Sequence, residues 1–312
     1  MPQRDAENDQ PREERGLLDA FQMARLKVCS PPGMSLRTPL PAQAPATEGV
    51  ADLGTVKLRY WDTGGPGHRQ NGDAVVLLHP GSGSAEVFPY QQPVFAAAGH
   101  RVISYSRRGQ SGSELGTDPA SCFAVDDLVA LMDHLGVGRF HAVGTALGGY
   151  VGLDAALSRP DRVRSLVLAG SMMGIAESDY QRTLSALRPP PFNELPAELK
   201  EVGPSYRAAN PEGLAEWKRR HERAGKGAPV RLRNTFTWEA LARLEVPTLL
   251  MTGDADLWIP PFLLRQVAAK IPGSRVVIVA DAGHALQWEQ PEAFNAAVLD
   301  FIASLLPREK PT

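Results

Sequence analysis

The sequence predicts an α/β protein with a mostly parallel sheet and helices on both faces. Three observations carry this. From Val50 onward, short apolar runs alternate with amphipathic stretches, as in a parallel sheet whose crossovers are helices. The later runs are continuously apolar, as strands buried on both faces are expected to be. Finally, His141 to Tyr150 reads His-Ala-Val-Gly-Thr-Ala-Leu-Gly-Gly-Tyr, a glycine-rich turn joining such a strand to a helix.

In chain order, strands are expected at Val56–Trp61, Ala74–His79, Arg101–Ser106, Phe140–Gly144, Val163–Leu168, Pro247–Thr252 and Arg275–Ala280. Helices are expected at Ser84–Ala98, Ala124–Leu135, Leu147–Ser158, Pro261–Lys270 and Pro291–Leu306. Residues 1–50 differ from the rest: a charged start, then Pro31, Pro32, Pro39, Pro41 and Pro45. They read as a partly disordered arm, with a short amphipathic helix over Gly16–Lys27, packing on the body or on a second subunit of a homo-oligomer. Residues 51–170 and 235–312 form the core. Between them, residues 171–234 lack strand patterning and carry the run Pro189-Pro190-Pro191. This stretch reads as a helical cap over the carboxyl ends of the strands, where open α/β sheets place their sites.

The 312 residues allow one large domain with an insertion. A net charge of −2 gives no global pull toward nucleic acid or a membrane surface. No apolar run reaches the roughly 18–20 residues of a membrane span. Met1 to Gly16 mixes Arg with Asp and Glu and has no apolar stretch, which reads against a secretory leader and for a cytoplasmic location. Cys29 and Cys122 do not make a disulfide framework. Scattered histidines and distant cysteines imply no metal, and no Gly-x-x-x-x-Gly-Lys run implies a phosphate-bearing cofactor. No cofactor is expected.

Four segments carry chemistry. The first is the turn at 144–149. Gly144 and Gly148 flank a tip where strand and helix pack too closely for side chains. A nucleophile there would stand at a helix N-terminus whose N–H groups face the reacting carbonyl. The second is Leu77-Leu78-His79-Pro80-Gly81-Ser82-Gly83-Ser84, directly after a buried strand. With the N–H of Leu147 it supplies a two-donor oxyanion hole, the second donor being Gly81 or, alternatively, Ser82; His79 is read as structural. The third is Thr252-Gly253-Asp254-Ala255-Asp256-Leu257-Trp258-Ile259-Pro260. Its Gly-x-x-Asp spacing and Pro260 favour Asp256 as the carboxylate that orients a histidine, with Asp254 bracing the loop. The fourth is Asp281-Ala282-Gly283-His284-Ala285, which sets His284 on a loop as general base. His68, His100, His134 and His221 read as surface residues, and His141 as structural.

The order elbow, Asp, His is that of α/β-hydrolases, and the chain resembles that fold superfamily over about Val50 to Leu306. Tyr105-Ser106-Arg107-Arg108-Gly109-Gln110-Ser111-Gly112-Ser113 resembles the family's Asp-x-Arg-Gly-x-Gly-x-Ser loop, and Val246-Pro247-Thr248-Leu249-Leu250 fits the strand before the acid. The resemblance implies a serine hydrolase, esterase-like, acting on a small-molecule carboxylic ester or amide. Three positions depart from the pattern. Ser106 stands where the loop usually has Asp, Pro80 where many members have Gly, and Ala146 where the nucleophilic serine belongs.

Alanine at that position is read first as an engineered Ser→Ala change, the smallest that deletes the Oγ and keeps the turn. Two other readings stand beside it: a natural non-hydrolytic ligand-binding protein, and cofactor-free C–C or C–H chemistry by His284 and Asp256. An ancestral Asp nucleophile is disfavoured by Leu147-Gly148-Gly149, where such members carry an aromatic residue. Phe88, Met172, Met173, Trp258 and Trp288 are the expected apolar lining of the substrate pocket. The bases Lys218, Arg219, Arg220, Arg223, Lys226, Arg231 and Arg233 are read as a solvated helix face or, alternatively, as recruiting a carboxylate-bearing substrate such as a monoester of a dicarboxylic acid. Tyr180 and Tyr206 are read as packing residues.

Overall fold

The computed structural model describes residues 26–29, 36–64, 74–171 and 173–305. Its strands are β1 (Leu26–Cys29), β2 (Thr47–Asp52), β3 (Lys57–Asp62), β4 (Ala74–Leu78), β5 (Val102–Tyr105), β6 (Phe140–Thr145), β7 (Val163–Ala169), β8 (Thr248–Gly253) and β9 (Arg275–Val279). They form one nine-stranded sheet in the order β1-β9-β8-β7-β6-β4-β5-β3-β2. Among the described residues, only the β2–β3 and β3–β5 pairings are antiparallel. The expected α/β fold is therefore present: the sheet is mostly parallel and carries helices on both faces.

The strands sort their side chains with period 2. Val76, Leu78, Ile103 and Leu166 face one way, against α2 (Ala124–His134), α3 (Leu147–Ser158) and α9 (Pro261–Ala268). Val75, Leu77, Val143 and Val167 face the other way, against α1 (Gln92–Ala97) and α11 (Pro291–Ala303). β4, β6 and β8 are buried along their whole length, which is why their sequences are largely apolar and carry no charged residue. No helix among the described residues is long and apolar enough to cross a membrane.

Three expectations are corrected. The helix over Gly16–Lys27 fails at its end, because Leu26 and Lys27 belong to β1; Gly16 to Arg25 lie outside the described residues. The expected arm boundary at residue 50 falls inside β2. That edge strand is mostly exposed, so it shows no apolar alternation. The helix over Ser84–Ala98 is broken into a 3-10 turn (Ala85–Val87) and α1. Pro89, which has no N–H to continue a helix, lies between them.

The stretch 171–234 is helical: α4 (Ser178–Leu187), a 3-10 turn at the proline run (Pro190–Glu194), α5 (Ala197–Glu201), α6 (Pro204–Ala209) and α7 (Pro211–Arg223). The chain then returns to the core through α8 (Trp238–Ala242). Its return is pinned by the buried Asp154 of α3, whose carboxylate accepts from the N–H groups of Arg233 (2.9 Å) and Asn234 (3.0 Å) and from the Asn234 side chain (2.7 Å).

The turn between α5 and α6 docks backbone to backbone on the loop after β9. Ala285 N–H donates to Glu201 O (2.8 Å). Glu289 of α10 (Leu286–Glu289) clamps the same contact: its Oε2 accepts from Gly203 N–H (2.7 Å) and Gly283 N–H (2.9 Å). Glycine is required on both sides, because a Cβ on Gly283 would lie 2.5 Å from Gly203 N. Burial pushes the Glu289 carboxyl up to about 8, against the opposing pull of those N–H groups.

Residues 36–46 cross this junction from outside. Leu36 O accepts from Asn210 (2.9 Å), Thr38 donates to Glu292 (2.6 Å), Thr38 O accepts from Tyr90 (2.9 Å), and Gln43 donates to Pro89 O (2.9 Å). They are tied at once to the helical stretch and to the core.

Glu289→Leu leaves the Gly203 and Gly283 N–H groups without their acceptor, at about 1–3 kcal/mol each. Urea unfolding should show a loss of about 3 kcal/mol, while Glu289→Gln, which keeps a carbonyl acceptor, should stay within about 1 kcal/mol of the parent. The pH dependence has a defined sign. Between the ordinary 4.5 and the folded value of about 8, the folded chain holds a proton that the unfolded chain has released. Stability linked to Glu289 therefore falls as pH rises through that window. Glu289→Gln should flatten this part of the stability–pH curve, and an unchanged slope would contradict the assignment.

Candidate active site

The strand–helix turn after β6 is tightly packed. Ala146 holds φ 46°, ψ −114°, a backbone region that costs a non-glycine residue about 1–3 kcal/mol. Two glycines make the turn possible. A Cβ on Gly148 would lie 2.0 Å from Leu78 O, and one on Gly144 would lie 2.5 Å from Gly148 O. Ala146 N–H donates to Ala169 O (2.9 Å), and Gly149 N–H returns to Ala146 O (3.0 Å). The turn therefore points residue 146 into a pocket. Leu147 N–H, at the first turn of α3, is among the donors that have no acceptor within a helix.

The loop 79–83 is held from below by a residue whose role sequence reading did not find. Arg107 donates to His79 O and to Pro80 O (2.8 Å), and its backbone N–H donates to His79 Nε2 (3.0 Å). With Nε2 accepting, the His79 proton sits on Nδ1 and points to Pro80 O (2.7 Å). Burial and the Arg107 charge push His79 far below the ordinary histidine range, so it is a neutral brace. Gln110 donates to Gly81 O (2.8 Å). The run 105–113 signalled this loop in the sequence, but not that Arg107 and Gln110 would carry the oxyanion segment. Gly81 backs onto Leu147, with its Cβ position 3.3 Å from Leu147 Cδ2. Pro80, Ser82 and Gly83 face the pocket.

Asp256 and His284 lie side by side. His284 Nδ1 lies 3.0 Å from Asp256 Oδ2 and 3.1 Å from Oδ1. The carboxylate also accepts from Trp258 N–H (2.7 Å) and Ile259 N–H (3.1 Å). The Thr252 hydroxyl stands between Asp256 Oδ2 (2.9 Å) and Ile259 O (2.8 Å). Burial opposes the charge on Asp256, but His284 and these N–H donors outweigh it and hold the carboxyl below its usual range. Burial likewise pulls His284 down, and the Asp256 charge and hydrogen bond more than reverse it, with smaller contributions from Glu201 and Glu289. An ionised Asp256 at Nδ1 leaves Nε2 as the basic nitrogen. Gly170, at φ 56°, gives His284 its room: a Cβ there would sit 3.2 Å from His284 Nδ1. Asp254 braces the loop, accepting from Ala282 N–H (3.4 Å).

Ala146 and His284 line one pocket together with Ser82, Glu201, Trp217 and Arg220. It is narrow, with about 30 Å³ of free volume, room for one or two waters. Of the expected lining, Trp288 is there. Phe88 instead packs under the sheet with Val75, Leu77 and Phe95, and Met173 packs into the opposite core. Both side chains are drawn into apolar layers that the sequence could not place. Met172 lies outside the described residues. Trp258 stacks beside His284 at 5.7 Å and against Phe192 at 5.0 Å, flanking the base rather than lining the pocket. His221, read as a surface residue, lines the pocket. Tyr180 and Tyr206 are buried packing residues.

Residues 75–297 match the family model described as the alpha/beta hydrolase family. RutD of Caulobacter sp. strain K31 is 31% identical over 278 residues, covering 80% of this chain and 97% of that one. The 2-hydroxy-6-oxononadienedioate/2-hydroxy-6-oxononatrienedioate hydrolase 2 of Pseudomonas putida is 28% identical over 292 residues, covering 82% and 93%. Among solved structures, the enol-lactonase of Burkholderia xenovorans LB400 superposes with a TM-score of 0.66 at 24% identity, covering 82% of this chain and all of that one. A Thermogutta terrifontis esterase gives 0.65 at 23%, covering 84% and 99%. With its sheet order, its glycine-bound turn and a family match across most of its length, the chain belongs to the alpha/beta hydrolase family.

Proposed function

We propose that this chain carries the acyl-transfer site of a serine hydrolase for a small-molecule carboxylic ester or amide, and that Ala146 occupies its nucleophile position. One observation carries the reading. The backbone at Ala146 keeps a strained geometry that a methyl side chain has no use for, beside a His284–Asp256 pair with its hydrogen bonds in place. In the serine form, Oγ attacks the carbonyl while His284 Nε2 takes its proton and returns it to the leaving group. Asp256 keeps the imidazole in the right tautomer and stabilises its cation. The N–H of Leu147 and that of Gly81 or Ser82 hold the oxyanion, at roughly 3–4 kcal/mol per donor. Water then releases the acyl group. Residues 171–234 act as the cap over this site, and the protein works in the cytoplasm. With alanine in place the chain binds substrate and forms no acyl-enzyme.

A second reading keeps alanine as the working residue: His284 and Asp256 take a proton from the substrate directly, in cofactor-free C–C or C–H chemistry. The intact base favours it. A natural, non-hydrolytic ligand-binding role fits the same pocket.

Ala146→Ser should create or restore hydrolysis of a short p-nitrophenyl ester, by up to about 10⁶-fold; no gain over the alanine form would overturn the acyl-transfer reading. In that background His284→Ala should abolish the gain, and retained activity would mean the base is misassigned. The rate should rise with pH as His284 loses its proton, with a midpoint above the ordinary 6.5 because the Asp256 interaction outweighs burial. A midpoint well below 6.5 would contradict that balance.

A further inference from the structure

Most of the bases expected to recruit an anion have partners within the protein. Lys218 pairs with Glu198 (2.7 Å), Arg219 with Glu216 (2.7 Å), Arg223 with Glu86 (3.7 Å) and Arg233 with Asp126 (2.6 Å). Arg231 donates to Ala120 O (3.3 Å) and lies over the Phe123 ring. Arg220, which reaches the pocket, binds Glu216 (2.7 Å) and Glu86 O (2.6 Å). Lys226 apart, the residues expected to recruit an anion are engaged within the protein.

Glu201 presents the opposite case. Its carboxylate lines the pocket with Ala146 and His284. Among the described residues it is met by a hydroxyl, Ser82 Oγ–H donating at 3.1 Å, and by no Lys or Arg ion pair. Its position is built, because its backbone carbonyl accepts Ala285 N–H and Gly203, two residues on, is clamped by Glu289. The indoles of Trp217 and Trp288 form further wall, and such faces attract cations. Arg220 already shows this, its guanidinium carbon lying 5.8 Å from the Trp288 centroid. The other charged or titratable groups at the pocket are accounted for: Arg220 is paired, His221 lies against Trp217 (4.9 Å), and His284 is paired with Asp256.

We infer that the Ser82–Glu201 corner of the pocket binds a primary ammonium group, so that the substrate is an amine-bearing ester or amide. This rests on the reading of the pocket as the substrate site. The whole pocket has free space for only one or two waters, so its Ser82–Glu201 corner can take an –NH₃⁺ and not a bulky quaternary cation. Such a group offers three donors, which Glu201 and the Ser82 oxygen can accept.

The test uses the alanine chain as it stands, with β-alanine ethyl ester and ethyl butanoate as probes. The two differ in carrying an ammonium or a methyl at the same position. Calorimetric or tryptophan-fluorescence titration at neutral pH should show about tenfold tighter binding of the ammonium ester, equivalent to about 1.4 kcal/mol. Glu201→Gln should bring the ratio of the two affinities to about one, and Ser82→Ala should narrow it. Circular dichroism and the His284 Nδ1 proton resonance would show that the variants keep their fold. Equal binding of the two esters, no binding of the ammonium ester up to its solubility limit, or a preference that survives Glu201→Gln would overturn the inference. Hydrolysis separates it from the acyl-transfer reading. If Ala146→Ser cleaves neither ester while the binding preference holds, the ammonium subsite stands and the hydrolase reading fails. If it cleaves ethyl butanoate with no preference in binding, the reverse is true.

Discussion

Two backbones lie closer at the turn after β6 than side chains would permit, and the functional parts of the molecule are arranged around that approach. Gly148 passes beneath the carbonyl of Leu78, locking the start of α3 to the end of β4. The same contact brings the 79–83 loop beside the first turn of α3, where free N–H groups can act on a developing negative charge. Residue 146 is then pushed into an unfavourable conformation by its surroundings. The strain is imposed by the packing of strand, turn and helix, so an alanine adopts it even though it has nothing to present.

The charges around the pocket follow a consistent logic. Three buried charged groups are each matched by several partners: Asp256 by two backbone N–H groups and a histidine, Arg107 by the carbonyls of His79 and Pro80, and Asp154 by the segment Arg233–Asn234 that leaves the helical stretch. Burying a charge without such partners would cost several kcal/mol. Glu289 resolves the same problem differently, by holding a proton near neutrality while still accepting two N–H bonds. The base loop and the helical stretch are thus joined by short-range polar contacts, so a shift in one must be felt by the other.

How much of this was legible in the sequence depended on whether one segment carried the information. The parallel sheet was legible because β4, β6 and β8 are buried along their whole length, which keeps charged residues out of them and makes them largely apolar. α3 was legible to the residue, because its start is set by a local turn and its end by local chain geometry. Asp256 and His284 could be picked out because each follows a buried strand on a glycine-bearing loop. β2 was not legible, because an exposed edge strand has no need of apolar residues. Phe88 and Met173 were misplaced because an apolar side chain next to a site looks the same whether it faces ligand or core. Glu201, Arg107 and Glu289 were missed for a shared reason. Their roles depend on partners far away in the chain, such as Ser82 for Glu201 and Gly203 for Glu289, and no periodicity reports such a pairing.

The segment 36–46 has a consequence for the order in which the molecule can be assembled. Thr38 is bonded to Glu292, 254 residues away, and Leu36 to Asn210, 174 residues away. A chain made from its amino end could join Thr38 O to Tyr90 and Gln43 to Pro89 early, but would carry Leu36 and the Thr38 hydroxyl without Asn210 and Glu292 until much or nearly all of the rest has been synthesised. Loop closure over such distances delays folding. The helical stretch could collapse onto the sheet before the strap arrives, but its outer edge would be finished last. The protein would therefore pass through a late stage in which sheet and turn are complete and the covering of the pocket is still open on one side.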